Sequence, residues 1–255
     1  MWRFHFLFSI IWRFVMFTYD SFSTPKPLSD AVEILGTSSC IFGLFVFLVH
    51  WVMVWTIPTF KLQSHQQRVY TAKNMAKSIV LAGLMPLSYK ILIDFFLLGE
   101  MDPTDVRLAG TVYASTDIAG LFIVTNHSKT TLFHHLTVTA MALYNLMYTL
   151  ERIWSGFAVY GAFCSFTFLV NTTLALKWIL DLSMLRNFCT ISFLTYASAC
   201  LLNWVTQLYF IRNYFKFEFE SYLFVTLMFF ILVDDLVLMD WLLRKSTKKT
   251  ALKMN

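Results

Sequence analysis

An all-α bundle of membrane-spanning helices is the fold class this 255-residue chain predicts, from its composition, its long apolar runs and the charge of the short segments between them. Hydrophobic residues make up 58% and charged residues 14%, with a mean hydropathy of +0.62; soluble domains average roughly 45–50% apolar and about 25% charged. Lipid leaves backbone polar groups no partner outside their own helix or a closed barrel. The apolar runs are long and do not alternate, which selects helices over strands.

A hydrocarbon core takes about 20 apolar residues per helix, and the sequence offers seven such runs, near residues 34–57, 79–98, 108–126, 131–150, 156–176, 188–211 and 221–243. The second carries Pro86, Lys90 and Asp94; Lys90 and Asp94 are four residues apart, so their charges meet on one helix face. Residues 34–243 form one transmembrane domain, flanked by an N-terminal segment (1–33) and a basic tail (244–255). The opening "MWRFHFLFSIIWRFVMF" reads as an interfacial helix in the headgroup layer, with an uncleaved anchor or an organellar targeting segment as the rival.

Loop charge orients the bundle. The segment "TFKLQSHQQRVYTAKNMAKS" carries Lys61, Arg68, Lys73 and Lys77 without an acid, whereas "EMDPTDVR" carries Glu100, Asp102 and Asp105 against Arg107. Basic loops face the cytoplasm, which places the first segment, Lys129, Lys177, Arg186 and the tail inside, and the N-terminus outside. The net charge of +5 is a topology signal and an attraction to anionic lipid, and no nucleic-acid partner is expected.

Proline ends at Pro103 and glycine at Gly161, so the later spans show no marks of the broken helices that transporters use. Cys40, Cys164, Cys189 and Cys200 all fall within spans, without metal or disulfide spacing, and read as small buried hydrophobes. Ionisable groups at membrane depth cost about 2.5–3.5 kcal/mol each and turn toward the bundle interior. Here they are Asp94, Asp117, His134, His135, Asp234 and Asp235. Asn203 and Gln207, one turn apart, read as glue between helices. Asp234 and Asp235 read either as protonated or lysine-paired carboxyls or as cavity residues.

Adjacent histidines project about 100° apart on a helix. His134 and His135 can therefore line one cavity but do not readily chelate one ion, and no metal is expected. Di-iron histidine boxes are excluded, because Thr131 stands three residues before His134 and the chain has six histidines in all. A neutral imidazole suits a general base or an acyl acceptor; the plainer reading is a pair of interfacial histidines bonded to helix ends or headgroups.

The stretch "VYASTDIAGLFIVTNHSKTTLFHHLTVTAMALYNL", residues 112–146, resembles the centre of the TLC domain of ceramide synthases and translocating-chain-associating membrane proteins. Tyr113 and Asp117 lie one turn apart in one span, and the His-His pair opens the next, 17 residues after the aspartate. Asn171 and Lys177-Trp178 match a later family segment loosely. Cys164 stands where the family has glutamate and Phe168 where it has proline, and the Asp-x-x-Asp element that follows the histidines in ceramide synthases is missing.

The resemblance implies a lipid-binding bundle with His134, His135, Asp117, Tyr113, Asn171 and Lys177 at the site. In the ceramide synthases His134, His135 and Asp117 would be catalytic and acyl-CoA the co-substrate; no other cofactor is implied. Lost acidic elements favour a noncatalytic lipid-binding or scaffold protein over an acyl-CoA-dependent N-acyltransferase. An accessory subunit of a larger membrane complex, with membrane-protein partners, is the third reading. Family habit places the chain in the endoplasmic reticulum or endomembranes, with the mitochondrial inner membrane as the alternative. On the predicted boundaries Asp117 lies about 13 Å from the inner end of its span and His135 about 6 Å from its own, an offset that separates them by a turn and a half.

Overall fold

The computed structural model describes residues 22–125 and 128–247, so the expected interfacial segment lies outside the described residues apart from its last stretch, as does most of the basic tail. The described chain is all-helical. Its helices are α1 (Leu28–Thr56), a short α2 (Pro58–Lys61), α3 (His65–Ile93), α4 (Pro103–Ile123), α5 (Lys129–Met147), α6 (Ser155–Cys164), α7 (Phe168–Leu176), α8 (Leu182–Tyr214) and α9 (Phe219–Thr247). Five helical segments are long and apolar enough to cross a membrane: α1, α3 with the turn that continues it to Leu98, the α6–α7 rod, α8 and α9. The other two expected spans coincide with α4 and α5, which pack against each other and are more polar.

Helix starts follow side-chain caps that satisfy orphan amides. Ser64 and Gln67 form a reciprocal capping box at α3. Asp102 accepts from the Thr104 amide ahead of α4, with Pro103 at the first helical position. Ser128 accepts from the Thr131 amide at α5, and Asp181 from the Met184 amide at α8. The α3 rod ends in a wider π-type turn, Asp94–Leu98, closed by Gly99 at φ 75°, a left-handed conformation that favours glycine.

The α6–α7 rod is the centre of the bundle, with 67% of its most apolar stretch buried. Phe157, Tyr160, Val159 and Phe163 fill the space between α3, α4 and α8, while α1, α8 and α9 turn Leu44, Phe47, Leu194, Leu201 and Phe229 outward. Contrary to the sequence reading, this rod is broken without a proline. A 3-10 turn at Ser165–Thr167 interrupts it, where the Ser165 hydroxyl donates to the Ala162 carbonyl (2.9 Å) and the Thr167 hydroxyl to that of Cys164 (2.7 Å). Such back-bonding competes with the helical ladder and bends it. Of Asn203 and Gln207, Gln207 joins helices: it donates to the Gly156 carbonyl of α6 (3.0 Å) and, within α8, to Asn203 Oδ1 (2.8 Å). Cys164, Cys189 and Cys200 are buried, but Cys40 is exposed on α1, because that helix meets the bundle along one stripe only.

Candidate functional site

Asp117, completely buried on α4, is the hub of the site. The Lys77 ammonium, from α3, pairs with its Oδ1. His135 Nδ1 approaches the same oxygen at 3.2 Å, and His134 Nε2 lies 3.7 Å from Oδ2. The Tyr113 hydroxyl, one turn before the aspartate, is 3.4 Å from His134 Nε2, and the Lys77 ammonium lies 4.9 Å from the centre of the Tyr113 ring. From α9, Asp234 brings Oδ2 to 3.3 Å from His134 Nδ1. Four helices thus converge on one polar cluster inside an otherwise apolar bundle.

The expected offset between Asp117 and His135 is overturned. The α4 helix ends at Ile123 and α5 begins at Lys129, so each residue lies six positions from its own end of the hairpin (123 − 117 and 135 − 129). At about 1.5 Å per residue each is about 9 Å in, at the same level. The apolar run had been extended to residue 126 on one side and begun at 131 on the other, which created the false stagger.

Lys73 and Lys77 also correct the sequence reading. They were assigned to a solvated inner loop, yet α3 begins at His65, which makes them its ninth and thirteenth residues, one turn apart and both buried. The Ser64-Gln67 capping box marks that start and is the signal that could have found them. Asp234 and Asp235 are not lysine-paired: Asp234 faces His134, and Asp235 accepts from the Tyr196 hydroxyl (2.6 Å) and, at 3.4 Å, from Trp204 Nε1.

The cluster forms one wall of a cavity of about 340 Å³. Tyr113, His134, His135, Asn171 and Lys177 all line it, with Asp117 directly behind the histidines. Sequence reasoning missed Tyr70, Lys73, Lys77 and the α5 N-terminal residues Ser128, Thr130 and Thr131 as further lining residues. Thr167, at the break in the central rod, also faces in. Lys177 follows α7, its ammonium 4.1 Å from the ring centres of both Tyr70 and Trp178. Burial, with a smaller contribution from the Lys245 charge, pushes Lys177 down to about 8. A narrower cleft lined by Tyr113, His134, Cys164, Tyr196 and Asp235 continues inward.

Ligand atoms of Asp117, His134 and His135 lie within 4.8 Å of one another, closer than the divergence of adjacent histidines suggests. The carboxylate brings them together, but the Lys77 ammonium already sits on it and supplies positive charge where a cation would bind. The set therefore works as a neutralised hydrogen-bonding wall, and the Asp117-His135 contact can also orient an imidazole for proton transfer. Compared with protein-family models, curated proteins and solved structures, the chain matches none.

Proposed function

We propose that the chain is an integral membrane protein, a TLC-like bundle of seven spans, that holds a lipid in the cavity beside His134 and His135 and performs no chemistry on it. One observation carries this reading: a buried polar cluster drawn from four helices forms the wall of a cavity of about 340 Å³. That volume is within the usual range for ligand sites, about 300–1,000 Å³. Burying Lys77, Asp117, His134 and His135 together is expensive, and a bundle gains nothing from that expense unless the cluster faces something polar. The cations in the short α2 and in the first turns of α3, α5 and α8, namely Lys61, Arg68, Lys129 and Arg186, support an inner position for this end, opposite Glu100, Asp102 and Glu151.

Acyl transfer is the second reading, and the 3.2 Å approach of His135 Nδ1 to Asp117 favours it. Against it, Lys77 already neutralises the carboxylate that would raise the imidazole's basicity, and both His134 nitrogens face acidic or phenolic oxygens. Incubating the purified, reconstituted protein with a sphingoid amine and a long-chain acyl-CoA separates the two. The binding reading predicts no N-acylated product and lipid co-purification in both wild type and the His134→Ala/His135→Ala double variant. Robust N-acylation that the double variant abolishes would replace binding with catalysis.

A further inference from the structure

The cavity contains more positive charge than its own carboxylates neutralise. Lys77 is paired with Asp117, and Asp234 faces His134. Lys73 and Lys177 also line the cavity, and among the described residues neither makes an ion pair with a carboxylate. Lys73 is only 8% exposed and is one of the residues that line the cavity. An uncompensated charge taken from water is costly, and proteins meet that cost with an opposite charge close by.

Two further features point the same way. The first turn of the 19-residue helix α5 lies on the cavity wall through Ser128, Thr130 and Thr131, and the N-terminal end of a helix carries partial positive charge. Gly120 on α4 leaves room for Lys73: a Cβ there would stand 2.9 Å from Lys73 Cε and 3.3 Å from Nζ. The absence of a side chain at residue 120 thus lets this lysine lie where it does. Asp235, the remaining acid nearby, lines the adjoining cleft and is engaged by Tyr196 and Trp204.

We propose that Lys73 and Lys177 bind the phosphate of an anionic ligand in this cavity, the phosphodiester headgroup of an acidic lipid being the source that fits a bilayer-embedded site. The inference rests on the lipid-binding reading and adds the charge of the headgroup to it. Lys73 contacts the phosphate from the closed side and Lys177 from the rim, where the Tyr70 and Trp178 rings hold its ammonium. The hydroxyls of Thr130 and Thr131 supply neutral donors beside them. Zwitterionic lipids carry the same phosphodiester but bring an ammonium group into a cavity that already has surplus cations.

The test uses the full-length protein, delipidated in detergent and titrated in separate arms with phosphatidylglycerol, phosphatidylcholine, diacylglycerol and inorganic phosphate, with occupancy read by native mass spectrometry or isothermal titration. The wild type should prefer phosphatidylglycerol over phosphatidylcholine by about tenfold or more. Lys73→Gln should remove that preference and Lys177→Gln should reduce it, while Lys73→Arg keeps it. Gly120→Ala, which leaves every charge in place and displaces the Lys73 ammonium, should weaken it as well, so the proposal stays testable if Lys73→Gln does not fold. Equal retention of all three lipids would overturn the anionic ligand and leave lipid binding standing. Retention of no lipid, together with phosphate binding that depends on Lys73, would uphold the anion site and overturn the lipid reading. Retention of neither overturns both.

Discussion

Helix α4 carries three buried charges; Asp105 pairs with Lys90, while Arg107 near one end and Asp117 near the other are treated in opposite ways. Arg107 is 1% exposed and makes no ion pair with a carboxylate among the described residues: Nε donates to the Asn145 carbonyl (3.2 Å), Nη1 to the carbonyls of Phe22 (3.0 Å) and Ser23 (3.2 Å), and Nη2 to the Thr149 hydroxyl (3.2 Å). These bonds pin the segment before α1 and the end of α5 onto α4. Asn145 completes the clasp by donating from Nδ2 to the Val106 carbonyl (3.2 Å). Four of the five guanidinium N–H groups thus donate to oxygens of the protein itself, as a structural clasp requires, although the side chain also borders a second cavity. At the Asp117 end the groups come from four helices and neutralise one another in part, while Lys73 and Lys177, which line the cavity, make no ion pair with a carboxylate among the described residues. A buried charge spent mostly on backbone carbonyls and a hydroxyl reports on folding, whereas a surplus of one sign among the residues of a cavity reports on a ligand.

The strongest way to break that contrast is to remove one partner of the central ion pair. Lys77→Met leaves Asp117 buried with an uncompensated charge, a change that costs about 3–5 kcal/mol. The expected outcome is loss of monodisperse protein in a thermal-aggregation assay in detergent, with partial recovery in Lys77→Met/Asp117→Asn. Arg107→Ala should come next, destabilising by about 2–3 kcal/mol through carbonyls left without charged donors, while the folded fraction keeps its lipid preference unchanged. If Arg107→Ala altered headgroup preference as strongly as Lys73→Gln, the division between the two ends would be wrong.

A smaller effect follows from pH. Lys177, pushed down to about 8 by burial and the Lys245 charge, faces Tyr70 and Trp178 and shares the cavity with Lys73, Lys77, Asp234 and both histidines. Its charged form is fully present only well below pH 8 and is lost as pH rises through that value. Phosphatidylglycerol keeps one negative charge throughout, so its retention should fall between pH 7 and 9, by up to about tenfold per unit above the transition if the charge is required. Lys177→Arg should flatten that dependence. The smallest expected effect is the loss of one histidine hydrogen bond: Tyr113→Phe should shift stability by about 0.6 kcal/mol, the average for interhelical hydrogen bonds in membrane bundles.

Much of this arrangement was legible in the sequence, because apolar runs and isolated polar residues inside them are strong signals. All seven runs coincide with helical rods in the described residues, and the expected site residues meet around one cavity. What was missed lies at the run boundaries. Lys73, Lys77 and Arg107 were counted as loop charges because hydropathy cannot tell a charge in a solvated link from one carried inward by the first turns of a helix. The caps at Ser64 and Asp102 move those starts outward and take the three cations inside. The break at Ser165–Thr167 was invisible to a search for proline and glycine, since hydroxyl back-bonding produces it. Lys90 and Asp94 do pair as their spacing suggests, at 3.1 Å, yet Lys90 also reaches Asp105 on α4, a contact between helices that sequence spacing does not show.

The central claim is that the cavity beside His134 and His135 holds a lipid. It is tested most directly by filling that cavity: Leu174→Trp places a large ring against its wall and leaves the ion pairs intact. Wild-type protein purified in mild detergent and then denatured should release about one lipid per chain, and Leu174→Trp protein of unchanged helix content should release several-fold less. Equal lipid release from the two proteins would contradict the account.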